Sequence, residues 1–204
     1  MKIAILVEGR TEKAFARFLR DFLKGHLSGR MPVLDFVPQD GGLPTKEKLR
    51  RVVDNLLGGS LAADAVIALT DVYTGHQPPL FLDAIDAKKK LSEWVGNNPR
   101  FFPHVAQHDF EAWLLPYWSK IQKLARSNRT RPGTNPEAVN HNNPPAYRIK
   151  EAFEVGGCRK SYSKTIDGPR ILSGENLLTS INECNEFKAF VNRIIQLSGG
   201  TQIP

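Results

Sequence analysis

Features of secreted, zinc-binding and membrane-spanning chains are scarce in this sequence. It has only two cysteines, Cys158 and Cys184, and they lack the close spacing of a zinc or redox pair. We expect both to be buried thiols in a reducing compartment. The apolar run that opens the chain, Ile3 to Val7, is too short for a signal peptide or a membrane span. No repeat, heptad pattern or low-complexity tract occurs either, and together these absences predict a cytoplasmic globular protein with no membrane partner.

The charge balance favours a polyanionic partner. Lysine and arginine total 28 against 21 aspartate and glutamate residues, which gives a formal net charge of +7 and a pI near 9.5. This balance is common in nucleic-acid-binding proteins, although many basic proteins bind none. The 204 residues, of which 41% are hydrophobic, suffice for one domain with a real core and an appendage.

Short apolar runs alternate with amphipathic stretches over residues 1–118. We expect strands and helices in turn at 2–7, 11–24, 33–37, 45–57, 65–70, 81–95, 101–107 and from Asp109 to Trp118. Strands that alternate with helices predict an α/β fold in which a parallel sheet of about four strands is flanked by helices.

The last third of the chain has a different composition. An Asn- and Pro-rich stretch at 127–147 is too long for a plain connector, so it predicts either a functional or a mobile loop. Further helices are expected at 148–155, 174–182 and 184–197. The tail from Gly199 should fray. We therefore expect an α/β core at 1–118 and a loop-rich, helical extension at 119–204 that packs on it.

Two of the expected strands end in carboxylates. Glu8 follows the apolar run of the first strand, and Asp71 follows the apolar run 65–70. Ligands of open α/β sheets bind at the carboxyl ends of the strands, so neighbouring strands would aim both acids at one crevice. Like charges this close repel unless a cation intervenes, and Mg²⁺ prefers hard oxygen ligands. The alternatives are a salt bridge from Glu8 to Arg10 and a turn-capping role for Asp71.

Further polar side chains are expected near the same edge. Glu12 and Glu111 fall in the first turns of helices that follow strands, where a negative charge also stabilises the helix by roughly 0.3–1 kcal/mol. Asp109 is placed to cap its helix. His104 and His108 lie four residues apart, but no thiol or third histidine is near in sequence. Proton transfer or phosphate contact is therefore a better interpretation of these histidines than zinc binding.

A basic cluster near the C-terminus supplies candidate phosphate contacts. Arg159, Lys160, Lys164 and Arg170 surround Tyr162, and basic residues with an interleaved aromatic suit nucleic-acid backbones and bases. Lys164 is a candidate to neutralise charge that develops on a scissile phosphate. The alternative is a solvated basic loop.

The strand-end motifs resemble those of a known fold. Val7-Glu8-Gly9-Arg10-Thr11-Glu12 and Leu69-Thr70-Asp71-Val72-Tyr73 are similar to the TOPRIM domain of topoisomerases, DnaG-type primases and OLD-family nucleases. The longer pattern resembles a bacterial domain-of-unknown-function family (family 4276) of TOPRIM-like proteins, and it covers nearly the whole chain. The matching stretches are 67–73, 104–115, 140–145 and 162–172.

The resemblance implies a metal site and points to one departure from it. In TOPRIM enzymes a strand-end Glu and an Asp-x-Asp pair bind Mg²⁺, which implies Glu8 and Asp71 here, while the OLD pattern adds an acid that matches Glu12. The second Asp of the pair falls on Tyr73, which is no substitute for a carboxylate. Either Glu111 supplies the missing charge, or the metal site is weak, or catalysis is lost.

We therefore expect a Mg²⁺- or Mn²⁺-dependent nuclease that acts on nucleic acid. Its catalytic residues would be Glu8, Asp71, Glu111 and Lys164, its metal ligands Glu8, Glu12, Asp71 and Glu111, and its nucleic-acid contacts Arg10, Arg159, Lys160, Lys164 and Arg170. The resemblance also implies work beside an ATPase partner in defence against phage. The alternatives are a non-catalytic partner or regulator of an ATPase and a simple nucleic-acid-binding protein.

Overall fold

Four parallel strands form one sheet at the centre of the chain. The computed structural model describes residues 1–39, 41–73, 78–139, 142–157 and 161–204, and only the backbone of Arg10. The strands are β1 (Lys2–Val7), β2 (Val33–Pro38), β3 (Ala65–Asp71) and β4 (Phe101–Ala106), in the spatial order β2-β1-β3-β4. The predicted α/β fold with a four-stranded parallel sheet is confirmed.

The described residues also contain eight α-helices. These are α1 (Arg10–His26), α2 (Lys46–Leu57), α3 (Ala84–Val95), α4 (Trp118–Ala125), α5 (Pro145–Val155), α6 (Lys164–Leu172), α7 (Leu177–Glu183) and α8 (Asn185–Leu197). Two 3₁₀-helices, Phe110–Tyr117 and Pro136–Ala138, complete the regular structure. Within the described ranges, no helix has the length and apolar character needed to cross a bilayer.

Helices cover both faces of the sheet because its central strands are apolar on both sides. In β1, Ile3 and Ile5 pack into one hydrophobic cluster and Ala4 and Leu6 into the other. Helices α2 and α3 cover the second cluster, whereas α1 and the C-terminal helices cover the first. This two-sided burial explains why the strands appear in the sequence as continuous apolar runs.

Two helices differ from the sequence prediction for local reasons. The segment after Asp109 is a 3₁₀-helix that contains Pro116, whose missing N–H prevents a regular α-helical bond. Helix α6 was not predicted, since Gly168 and Pro169 both disfavour a helix interior. Burial of Ile171 against the main core stabilises α6 despite those two residues.

The core runs without a break across the expected domain boundary near residue 118. Trp113 of the first 3₁₀-helix stacks on Phe187 of α8, with ring centroids 4.4 Å apart. Phe15 of α1 contacts the same two rings at 6.3 and 5.7 Å. The two parts share one hydrophobic cluster, so this cluster does not mark a boundary between them. The division into a core and an extension stays a prediction.

The expectation of a frayed tail was wrong. Ile203 is buried, and its backbone N–H and C=O both bond to the side chain of Asn192 at 2.8 and 2.9 Å. Lys188 donates to the carbonyl of Pro204 at 2.6 Å. These hydrogen bonds pair the backbone polar groups of Ile203 and the carbonyl of Pro204 with side chains of α8, and they hold the tail against that helix.

Two adjacent glycines test the packing of α4 against α5. A Cβ on Gly156 would lie 1.9 Å from the carbonyl oxygen of Ala125, whereas one on Gly157 would lie 3.7 Å from its nearest neighbour. Gly156→Ala should therefore lower the free energy of unfolding by roughly 1–3 kcal/mol, as overpacked cores do. Gly157→Ala is the matched control and should change it by less than about 0.5 kcal/mol. Urea unfolding of both variants checks this, and equal midpoints would contradict the close approach.

Candidate functional site

The candidate site lies where the strand order reverses. The chain passes from β1 to β2 on one side, then returns to place β3 on the other side of β1. Helix α1 packs on one face of the sheet and α2 on the opposite face, so the two diverge at this point. Such a switch point opens a crevice at the carboxyl ends of the strands, where α/β proteins bind their ligands.

The ends of β1 and β3 meet in this crevice. Glu8 follows β1, and its carboxylate accepts a 2.9 Å hydrogen bond from the backbone N–H of Asp71 at the end of β3. The same oxygen accepts a bond from the hydroxyl of buried Thr70. These two donors fix the Glu8 carboxylate beside Asp71, so the structure brings together the two acids that the sequence placed at strand ends.

Asp71 lies among several other carboxylates. Its burial, followed by the charges of Glu8 and Asp109, holds the pKa of Asp71 well above its ordinary value. The charges of Glu12 and Glu111 act in the same direction with smaller effects. A carboxyl group crowded in this way holds its proton more tightly than an exposed one, and a bound cation would compete with that proton.

Asp109 supplies a third strand-end carboxylate. His108 precedes it with a φ of 70°, in the left-handed region, and turns the chain sharply after β4. One Asp109 oxygen accepts a 3.1 Å bond from the N–H of Ala146 at the start of α5, while the other is buried without a hydrogen-bond partner. Burial and the neighbouring charge of Glu111 raise the pKa of Asp109 to about 7.

Glu12 and Glu111 flank these three acids. Glu12 is buried in the first turn of α1 and accepts a 3.1 Å bond from the N–H of Gly9. Burial raises the pKa of Glu12, and the charges of Glu111 and Glu8 add to that effect. Glu111 is fully buried, and its two oxygens contact the hydroxyl of Tyr162 at 3.3 Å and Nζ of Lys164 at 2.8 Å.

Among the described residues, Lys164 provides the positively charged side chain beside these acids. It begins α6, and about half of its side chain is exposed. Burial works against its charge, but the carboxylates of Glu111, Asp109 and Asp71 more than offset this and hold the pKa of Lys164 above its ordinary value. Lys164 is therefore firmly protonated and placed beside the acids.

The other predicted nucleic-acid contacts fall in different places. Arg170 lies near the end of α6, where it donates to the buried carboxylate of Asp167 at 2.8 Å. Arg159, Lys160 and the side chain of Arg10 lie outside the described residues. The alternative of a salt bridge from Glu8 to Arg10 therefore also lies outside the described residues.

His104 belongs to the core rather than to the site. Its ring packs against Phe190 of α8, with centroids 5.9 Å apart. Burial, and then the charges of Lys88 and Arg193, lower the pKa of His104 to about 3, which keeps its ring neutral. These surroundings do not suit the proton-transfer or phosphate role that was one interpretation of this residue.

Asp109 and Thr70 are the site residues that sequence reasoning missed. Asp109 was predicted only as a helix cap, although it follows β4 after two further residues, near the edge where Glu8 and Asp71 lie. The same strand-end argument would have found it. Tyr73, at the position of the absent second Asp, is 42% exposed, and its backbone N–H donates to the carbonyl of His108 at 2.7 Å.

The described side chains of the site have the chemistry that a divalent cation needs, but their positions do not form a coordination site. Carboxylate oxygens are the ligands that Mg²⁺ prefers, and one oxygen of Asp109 is buried without a hydrogen-bond partner among the described residues. However, in the described part of the chain no three carboxylate, imidazole or thiolate groups already form a metal-binding arrangement. A cation would therefore have to compete with protons for Asp71 and Asp109, whose pKa values are raised, and the carboxylates would have to move to surround it.

Comparison with sequence families identifies the chain's relatives. A family described as "Domain of unknown function (DUF4276)" matches residues 7–195. The chain belongs to this family. The match spans β1 to α8, so it includes all the site residues described above. No curated protein matches the chain.

A solved structure shares the fold of this DUF4276 protein. It is the C-terminal region of the Burkholderia pseudomallei OLD protein, with a TM-score of 0.54 and 14% sequence identity. The superposition covers 96% of this chain and 97% of the OLD region. The predicted relation to a DUF4276 family and, distantly, to the OLD domain is confirmed at the level of family and fold.

The raised pKa of Asp109 gives a pH dependence of stability. Between about pH 4 and 7 the folded chain holds a proton on Asp109 that the unfolded chain, with an ordinary value of 3.8, has released. Metal-free protein should therefore lose stability as the pH rises through this window. Asp109→Asn should be more stable than wild type at pH 8 and not at pH 4.5, by at most about 4 kcal/mol. Urea unfolding at both pH values measures this difference.

Asp54→Asn provides the matched control for this experiment. Asp54 is an exposed carboxylate of α2, 3.8 Å from Arg50, and such a pair contributes little to stability. Its substitution should leave the pH dependence unchanged. If Asp109→Asn followed the wild-type curve at both pH values, a raised pKa at Asp109 would be refuted.

Proposed function

We propose that this chain is a divalent-cation-dependent phosphodiesterase that acts on nucleic acid. One observation carries the proposal: at the carboxyl edge of the sheet, Asp71 at the end of β3 is flanked by Glu8, which follows β1, and by Asp109, which follows the turn after β4. A protein that leaves such charges together gains stability from a bound cation. The similarity of the strand-end motifs to TOPRIM nucleases and the net charge of +7 support a nucleic-acid substrate.

The strand-end acids are the proposed cation ligands. Glu8, Asp71 and Asp109 would hold Mg²⁺ or Mn²⁺, with Glu12 and Glu111 as flanking charges. When bound, the ion would supply a Lewis acid for the phosphate and lower the pKa of a bound water. Thr70 and the N–H of Asp71 hold Glu8 in place, and the N–H of Ala146 orients Asp109. Asp109 thereby provides a carboxylate that Tyr73 lacks.

Lys164 is the proposed stabiliser of charge on the substrate phosphate. Its ammonium lies beside Glu111 and is held protonated by the surrounding acids. A protonated amine at this position can neutralise negative charge that develops on a phosphate oxygen. Tyr162 donates to the other oxygen of Glu111, which fixes that carboxylate and keeps Lys164 near the acids.

A second candidate is a non-catalytic partner or regulator of an ATPase, related to phage defence by the OLD resemblance. Two observations favour it: the described residues contain no ready-made metal arrangement, and Lys164 already neutralises Glu111. In this alternative the Lys164 ammonium takes the place of a metal ion beside the carboxylates. Calorimetry separates the two proposals, since the partner model predicts no Mn²⁺ binding and stable association with an ATPase.

The nuclease proposal predicts cation-dependent cleavage that requires Asp71. Purified protein with supercoiled plasmid and Mn²⁺ should produce nicked product, and EDTA should abolish it. Asp71→Asn should lower the rate by about 100-fold or more, since even outer-shell partners of metal sites contribute roughly 10–100-fold. The exposed Asp54→Asn variant should cleave like wild type. Equal nicking by wild type and Asp71→Asn would show a contaminant and would count against the proposal.

Removing Lys164 should affect cation binding and cleavage in opposite directions. The Lys164 ammonium competes with a metal ion for the same group of carboxylates. Lys164→Gln should therefore bind Mn²⁺ more tightly in calorimetry but cleave plasmid more slowly. The exposed Lys89→Gln variant of α3 is the control and should change neither quantity. Weaker Mn²⁺ binding by Lys164→Gln would contradict the competition.

A further inference from the structure

A second charged feature lies on the other side of Tyr162. An open groove of about 690 Å³ runs between α4, the end of α5 and α6. Four cationic side chains line it: Lys120, Lys123, Arg126 and Arg170. No described acidic residue lies on its walls. We call this feature the basic groove.

Two of these cations lack an internal partner. Lys120 lies 3.7 Å from Glu175, and Arg170 is paired with Asp167. Lys123 and Arg126 are exposed and make no ion pair with any described residue. Like charges gathered on one surface repel each other, and an anionic ligand would relieve that repulsion.

The dipole of α4 explains only part of this arrangement. Lys123 and Arg126 lie at the C-terminal end of α4, where a cation stabilises a helix by about 0.3–1 kcal/mol. Lys120, however, lies in the first turn of α4, where the dipole disfavours a positive charge, and Arg170 comes from a different helix. The helix ends therefore do not account for four cations facing one space.

Two aromatic side chains connect the basic groove to the acid cluster. Phe153 lines the groove, and its ring contacts the ring of Tyr162 with centroids 5.6 Å apart. The Tyr162 hydroxyl in turn donates to Glu111. Lys164 and Arg170 lie six residues apart on α6, a distance of about 9 Å along the helix axis. This is on the order of one to two phosphate spacings of an extended strand.

We propose that the basic groove binds the phosphodiester backbone of one nucleic-acid strand and leads it to the acid cluster. This inference rests on the proposed function, because it assigns the groove to the substrate of that same site. The groove volume exceeds what a single phosphate needs, and its cations come from three separate positions along α4 and one on α6. Cations spaced along a groove suit a chain of phosphates rather than one anion.

The test measures binding in EDTA, where no cation is available to the acids. The probes are a fluorescent single strand of about 12 nucleotides, as DNA and as RNA, with inorganic polyphosphate as competitor. Wild type should bind at least one strand, and the double variant Lys123→Ala/Arg126→Ala should bind it roughly 10-fold more weakly. The slope of log affinity against log salt should fall by about 1.4, because each contact to a single strand contributes about 0.7.

Two further variants control this experiment. Arg50→Ala/Lys89→Ala removes two exposed cations from α2 and α3 on the other face of the sheet, and it should leave the slope unchanged. Lys123→Arg/Arg126→Lys keeps the charges and should restore wild-type binding. An equal loss in both alanine pairs would overturn the groove proposal, as would polyphosphate binding as tightly as an oligonucleotide of equal charge.

Failure of this proposal is distinguishable from failure of the proposed function. If plasmid nicking is absent while the groove variants weaken strand binding, the groove proposal stands and the nuclease proposal falls. If nicking occurs while the double variant binds strands as well as wild type, the groove proposal alone is overturned.

Discussion

Repulsion among carboxylates at the end of the sheet is the constraint that organises this molecule. Glu8 and Asp71 lie at the ends of strands that pair directly, so the sheet itself holds them together, and the turn at His108 after β4 brings Asp109 beside them. The fold offsets the repulsion in three ways: raised pKa values for Asp71 and Asp109, backbone and hydroxyl donors to Glu8, and the Lys164 ammonium beside Glu111. Each of the three lowers the repulsion among the acids without a metal ion.

The C-terminal helices are part of the site rather than a separate module. Lys164 and Tyr162 come from the last third of the chain, yet both bond to Glu111 of the first 3₁₀-helix. The stacked rings of Trp113 and Phe187 join the same two regions in one core. Because that core is continuous, the position of the Lys164 ammonium relative to the acids is set by apolar packing and not by a flexible tether.

The sequence predicted the features that depend on local pattern, and missed those that depend on tertiary contact. The apolar runs before Glu8 and Asp71 identified both strands and the convergence of their ends, because burial on two faces leaves a continuous hydrophobic signal. Helix α6 has no such signal, since Gly168 and Pro169 oppose it and only packing stabilises it. The basic groove was equally invisible, because Lys123 and Arg170 are 47 positions apart in the chain and meet only when α4 and α6 pack.

The position of Asp109 shows that a sequence motif predicts the ligands of a site less well than the geometry that the ligands must form. A cation needs oxygen ligands around one point, and adjacent parallel strands are only about 4.8 Å apart. A carboxylate that follows β4 can therefore occupy nearly the same space as a carboxylate at position 73 after β3, provided that the chain turns back after β4. The left-handed backbone of His108 makes that turn, and the Tyr73 N–H bonds to its carbonyl. The N–H of Tyr73 thus stabilises the turn that brings Asp109 near Asp71, so a tyrosine at position 73 still leaves a second aspartate beside Asp71.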